Sequence, residues 1–196
     1  LALSVSDILT AKESGKLAIA FDLEGSDPLL GNINLVSFYY DLGVRQMLLA
    51  YNKDNRASGG CMEGNIGLTD FGKEVIREMN RVGMVVDVSH MGYRATLEAF
   101  EVSSKPVVFL FSYPKSLREH ARNITNEQIK ACAQTGGVIG INGIGDFLGG
   151  TSSELIVQNI EYVINLVGPE HVGIGLDYVV DKQELIDYIK GNPDVF

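Results

Sequence analysis

Six short apolar runs, each closing on polar residues and most followed by an amphipathic stretch, constrain this chain more than any other feature. They span residues 17–23, 45–51, 84–89, 106–111, 138–142 and 172–176. Near-continuous apolar character is what a strand buried on both faces of a parallel sheet requires. Strands alternating with helices, without internal repetition, define an α/β protein.

The helices between these runs have readable ends. Ser6 is expected to cap a short helix stopped by Gly15, and a second helix over 32–42 ends before Gly43. Thr69 caps a helix carrying Phe71, Val75, Ile76, Met79 and Val82 on one face and closed by Gly83. Glycine suits that closing position because it accepts a left-handed backbone at little cost. Thr125 with Gln128, and Thr151 with Glu154, have capping-box spacing. The last pair opens a helix with Ile156, Ile160, Val163, Ile164 and Val167 along its buried stripe.

Two α/β architectures compete. A doubly wound sheet usually shows a glycine-rich phosphate turn after an early strand. The nearest candidate, Gly143-Ile144-Gly145, has Leu148 where the last glycine belongs. A (β/α)₈ barrel instead builds its sites from polar residues at the C-terminal ends of successive strands. The run ends here read Asp22 and Glu24, Tyr51 and Asn52, Asp87 and His90, Ser112 and Tyr113, Asn142, then Asp177 and Tyr178. That pattern favours a TIM-like barrel, incomplete because six strands are visible where eight are needed.

With 196 residues and 45% hydrophobic content, residues 1–196 are expected to form one domain. Sixteen Lys and Arg against 25 Asp and Glu leave a net charge of −9, which opposes binding to phosphate backbones and anionic lipid. The densest basic stretch, 115–122, is diluted by Glu119. No apolar run approaches the roughly 18 residues of a membrane span, and no signal-like start is evident. Cys61 and Cys132 form no CxxC pair. A cytoplasmic protein without nucleic-acid or membrane partners is the expectation.

Several strand-end residues suit chemistry, and each also has a plain structural reading. Asp22 and Glu24 share one side of the first strand by period-2 alternation; a carboxylate there suits metal bridging or general base work, or is an exposed loop acid. His90 suits zinc ligation, or is a hydrogen-bonded structural histidine, the reading given to His120 and His171. Arg122 has the fork to hold a substrate carboxylate, or is a solvated loop arginine. Asp177, flanked by Gly173 and Gly175 that permit close backbone approach, is a proton shuttle or a helix cap. Residues alone justify a barrel-like α/β protein, with a metal hydrolase among the alternatives.

The motifs nevertheless add up. Leu23-Glu24-Gly25, Leu42-Gly43-Val44-Arg45, Leu49-Ala50-Tyr51-Asn52, Gly67-Leu68-Thr69-Asp70-Phe71-Gly72, Asp87-Val88-Ser89-His90, Arg122-Asn123-Ile124-Thr125 and Gly175-Leu176-Asp177-Tyr178 resemble the zinc-dependent membrane (renal) dipeptidase family, particularly its bacterial branch. The similarity runs through nearly the whole chain in order. It implies a (β/α)₈ barrel entered just before its third strand, holding two zinc ions and hydrolysing dipeptides by a metal-bound hydroxide. It further implies Glu24 as the bridging metal ligand and His90 as a ligand of the second zinc. Arg122 and Tyr51 fall at substrate-binding positions and Asp177 at that of the acid/base aspartate. Homodimers are common in the family.

Two departures weigh against a complete zinc site. The His-x-Asp pair of the family's first strand has no counterpart here. After Phe109 the family reads Ser-His-Ser, whereas this chain reads Leu110-Phe111-Ser112, and a phenyl ring cannot coordinate zinc. A catalytically silent or truncated homologue is therefore the alternative expectation.

Overall fold

Each of the six expected strands forms in the computed structural model, which describes residues 1–63 and 66–193. Helix α1 (Val5–Glu13) precedes β1 (Phe21–Glu24), and α2 (Asn34–Asp41) leads to β2 (Val44–Leu48). Then follow α3 (Asp70–Val82), β3 (Val85–Asp87), α4 (Tyr93–Val102), β4 (Val107–Ser112), α5 (Asn126–Gln134) and β5 (Ile139–Ile141). Helices α6 (Gly145–Leu148) and α7 (Ser153–Val167), strand β6 (Val172–Ile174) and helix α8 (Lys182–Gly191) complete the order.

The strands lie in one sheet in sequence order, and every neighbouring pair is parallel. A doubly wound sheet reverses its winding at a switch point; this one never does. It is a six-stranded arc of a barrel, and among the described residues it does not close. Among the described residues the outer edges of β1 and β6 pair with no further strand, which corrects one expectation. Leu17, Ile19 and Phe21 around β1, and Ile174 in β6, are exposed rather than buried on both faces, because no neighbour covers them.

Packing between helices and sheet is tight elsewhere. Val75, Ile76 and Met79 of α3 are fully buried against the strands, each worth about 1.5–3 kcal/mol of apolar burial. Thr69 caps α3 by accepting from the Gly72 amide, and Gly83 closes it at φ 92°. The Thr125–Gln128 capping box is complete. Two other caps fall elsewhere than expected. The side chain of Ser4, not Ser6, caps α1 and accepts from the Asp7 amide. Helix α7 begins from Ser152 without a side-chain cap, so the Thr151–Glu154 box does not form.

The β4–β5–β6 spacing is closer than any side chain allows at two points. A Cβ on Gly140 would lie 1.9 Å from the Leu110 carbonyl oxygen, and one on Gly175 would lie 1.8 Å from the same atom. The chain past β6 therefore approaches β4 backbone to backbone.

Candidate active site

The C-terminal ends of the strands converge on one cavity of about 390 Å³. Glu24 ends β1, Tyr51 and Asn52 follow β2, His90 follows β3, Arg122 comes from the loop after β4, and Asp177 follows β6; all line it. All five residues singled out from the sequence are thus brought together.

His90 is the most tightly determined of them. Its ring stacks on Tyr51 with centroids 4.0 Å apart, and the edge of Phe111 meets it at 5.2 Å and 74°. Its Nδ1 lies 2.7 Å from Asn52 Oδ1, an atom that only accepts, so Nδ1 carries the proton and Nε2 the lone pair. That Nε2 is buried and has no protein partner. Burial, reinforced by the Arg122 charge, pushes the imidazole down to about 2, so the ring is neutral. His90, Asn52 and Asp177 have φ of 64°, 62° and 55°, a left-handed conformation that non-glycine residues adopt at a cost and that clusters at functional sites.

Glu24 remains exposed at the sheet's open edge, yet its carboxyl is pushed up to about 7. Partial desolvation is the largest cause, followed by the charges of Asp177, Asp22 and Asp87, with Arg122 acting in the opposite sense. Asp22 is itself raised by burial. Asp87 is buried and pushed up to about 6 by desolvation, although its carboxylate accepts from the Ser89 and Leu110 amides at 2.8 and 3.3 Å. Tyr51 is driven up to about 12, chiefly by burial. Carboxyls raised together by burial and by one another, with Arg122 as the opposing charge, mark a candidate functional site.

Arg122 is only 4% exposed. One Nη donates to the Phe111 carbonyl at 3.4 Å, its guanidinium stands near the Phe111 and Phe147 rings, and its Nε–H has no protein acceptor. Asp177 accepts from Asn142 Nδ2 at 3.2 Å, and Asn142 is held in turn by the Ile144 amide.

Sequence reasoning passed over several lining residues. His120, read as structural, lines the cavity beside Phe147 while its Nδ1 accepts from the Arg122 amide. Asp146, Phe147, Leu185 and Ile189 also line it, and none carries a spacing signal in the sequence. His171 is structural, its Nδ1 2.8 Å from the Gly137 carbonyl oxygen.

The donor set does not fit two zinc ions. A catalytic zinc takes three protein ligands and keeps one open position, and no group of three His, Cys, Asp or Glu side chains suited to a metal occurs among the described residues. His90 has the anchored tautomer of a ligand, but Phe111 and Tyr51 pack against the ring.

A family model described as membrane dipeptidase (peptidase family M19) matches residues 1–190. An uncharacterized dipeptidase of Schizosaccharomyces pombe is 34% identical over 181 residues, which are 87% of this chain and 44% of that protein. The crystal structure of an amidohydrolase from Pseudomonas aeruginosa is similar with a TM-score of 0.92 at 34% identity, over 96% of this chain and 59% of that one. A metallo peptidase from Rhodobacter sphaeroides, solved with a phosphinate mimic of the dipeptide L-Ala-D-Ala, shares the fold at TM-score 0.85 and 21% identity, over 90% and 54% of the two chains. The chain spans 44% to 59% of the length of these three proteins. Among the described residues no helix is long and apolar enough to cross a membrane. Strand order, strand-end chemistry and a family match across nearly the whole sequence agree: this chain belongs to the membrane dipeptidase family, peptidase family M19.

Proposed function

We propose that this chain carries the dipeptide-binding half of a dipeptidase site. The observation behind the reading is a cavity that sets a buried arginine opposite carboxylates. Arg122 lines the same space as Glu24, Asp146 and Asp177. A dipeptide is a zwitterion: its carboxylate suits the guanidinium, and its ammonium suits the acidic wall. Burial makes the arginine contact stronger than its surface equivalent. Ile144, Phe147, Leu185 and Ile189 offer apolar surface for side chains.

Within this reading Asp177, oriented by Asn142, is the acid/base group that holds or moves a proton at the scissile amide. Tyr51, protonated throughout the neutral range, offers a hydroxyl to substrate. Glu24 and His90 are the metal donors in hand. Metal ions in this family's chemistry lower the pKa of a bound water and so supply the nucleophile. Because the donor set is incomplete, no hydrolytic step is assigned to these residues alone. Phe111 favours the second reading, a homologue that binds dipeptides without cleaving them.

Zinc analysis and a dipeptide assay separate the two. Titration of L-Ala-L-Ala and L-Ala-D-Ala should give saturable binding that Arg122→Met weakens by about tenfold or more, the cost of an unpaired carboxylate. Release of free alanine with about two zincs retained per chain supports the hydrolase. Binding without release, and with essentially no retained zinc, supports the silent homologue. Binding that is indifferent to Arg122→Met overturns both.

A further inference from the structure

His120 and Arg122 stand two residues apart on one tight turn of the loop between β4 and α5, and both line the cavity of the candidate site. The turn is closed by Asn123, whose amide donates to the His120 carbonyl at 3.1 Å. Asn123 Nδ2 donates in turn to the Arg118 and Phe147 carbonyls at 2.8 and 3.0 Å, which pins the loop to α6. The Phe147 ring meets both side chains. It lies 4.6 Å from the imidazole between centroids, tilted by 36°, and the Arg122 guanidinium stands 5.7 Å from its centre. One fixed piece of backbone thus presents a histidine and an arginine beside the same aromatic ring.

The two nitrogens of His120 differ in what they meet. Nδ1 accepts from the Arg122 amide at 3.1 Å, so in the neutral ring the proton resides on Nε2. Burial, followed by the charges of Arg122 and Arg118, holds the imidazole below its ordinary value, with Asp146 acting in the opposite sense. The ring is therefore neutral and keeps this tautomer. Among the described residues no protein group accepts from Nε2–H, and Asp146 forms no hydrogen bond with it. With Nδ1 turned to the chain and the ring laid against Phe147, the Nε2 edge is what remains for the cavity.

We propose that His120 is a second anchor for the carboxylate of a bound dipeptide, its Nε2–H donating to one carboxylate oxygen while Arg122 holds the other. The inference rests on the dipeptide reading above and adds a substrate-binding residue to it. A neutral donor suits this place. It contributes a charge-assisted hydrogen bond to the carboxylate without setting a second cation against the guanidinium, which like charge would oppose. The Arg122 amide itself selects the tautomer, so the turn that carries the guanidinium also decides which histidine nitrogen donates.

Nitrogen NMR of the imidazole in the full chain reads the tautomer without any ligand. The Nε2–H form is expected, and the Nδ1–H form overturns the proposal. Calorimetric titrations of L-Ala-L-Ala and of its C-terminal amide, which has no carboxylate, read the anchor. His120→Asn is the informative substitution. Asparagine accepts from the amide two residues on, so Arg122 keeps its turn, but its side chain is too short to place a donor where Nε2 stands. The variant should bind L-Ala-L-Ala about tenfold more weakly and the amide about twofold more weakly or less. Equal losses for acid and amide overturn the carboxylate assignment. No loss for either, with Arg122→Met still weakening L-Ala-L-Ala, overturns the role of His120 and leaves the dipeptide reading intact. Failure of L-Ala-L-Ala to bind the unsubstituted chain removes that reading and this inference with it.

Discussion

Asn52 Oδ1 receives the His90 Nδ1 proton at 2.7 Å, and both residues reach that contact from left-handed backbone, at φ 62° and 64°. Two costly conformations are thus held by one short buried bond. Asparagine is the non-glycine residue that most readily tolerates this region, which explains its presence after β2. Asn52→Gly should lose the bond and cost about 1–3 kcal/mol. Asn52→Ala should cost about 1–2 kcal/mol more, because alanine adds the left-handed penalty. Urea unfolding of the pair checks both, and equal midpoints would refute the strain.

Phe111 is the second control on the same imidazole. Its ring edge meets His90 at the position where the dipeptidase resemblance expects a histidine. Phe111→His should therefore convert a chain that keeps little zinc through dialysis into one that retains up to about one ion, because an imidazole at position 111 would join Glu24 and His90 to make the three protein ligands a zinc takes. Elemental analysis of both proteins measures it. A wild-type chain that already retains two zincs, unaffected by His90→Asn, would show that the donors lie elsewhere.

Stability of the metal-free chain should respond to pH through groups of opposed sense, of which Asp87 and His90 are the most deeply buried. Asp87 has its folded pKa raised from 3.8 to about 6, so the folded state binds its proton more tightly. Its contribution is fully present below about pH 4 and is lost as pH rises through 6. His90 is lowered from 6.5 to about 2, so its contribution is present above about pH 6.5 and is lost as pH falls. Between pH 4 and 6 each contributes about 1.4 kcal/mol per pH unit, in opposite senses, and Glu24, raised to about 7, adds a slope of the same sense as Asp87. Measured against the unsubstituted chain, Asp87→Asn should make the slope of stability on pH more positive across this interval, and His90→Asn should make it more negative. Urea midpoints at pH 4, 5 and 6 give the slopes. Parallel profiles for the two variants would refute the assignment.

The unpaired outer edges of β1 and β6 should make this chain self-associate, since edge strands present free backbone donors and acceptors. Ile174 on β6 is 71% exposed. Ile174→Lys should lower association at equal concentration in sedimentation velocity. A wild-type chain that sediments as a single stable monomer would count against the exposed edges.

Local signals were legible, and long-range ones were not. Thr69 with Gly83, and Thr125 with Gln128, act within one turn of their own helices, so their spacing alone announces them. Ser6 misled because Ser4 lies two residues earlier and has Asp7 at the reciprocal position, a pairing present in the sequence. Alternation announced a parallel α/β sheet and the polar strand ends favoured the barrel order, while the exposure of β1 was not legible, because burial on a sheet depends on neighbours that no run of residues encodes. Glu24, Tyr51, His90, Arg122 and Asp177 were readable from strand ends and motifs. Leu185 and Ile189 were not, since they reach the cavity from α8, eight or more residues beyond Asp177.

Gly140 and Gly175 flank the Leu110 carbonyl oxygen, and each stands two residues before a member of the site, Asn142 and Asp177. A methyl group at either glycine would have to displace β4 or the chain beyond β6. The shift would travel directly into the Asn142–Asp177 hydrogen bond, where an error near 1 Å is enough to cost about a hundredfold in a reaction. Alignment of Asp177 is thus set by two positions that contribute no side chain, so a search for functional residues by chemical type overlooks the gauge to which the site is built.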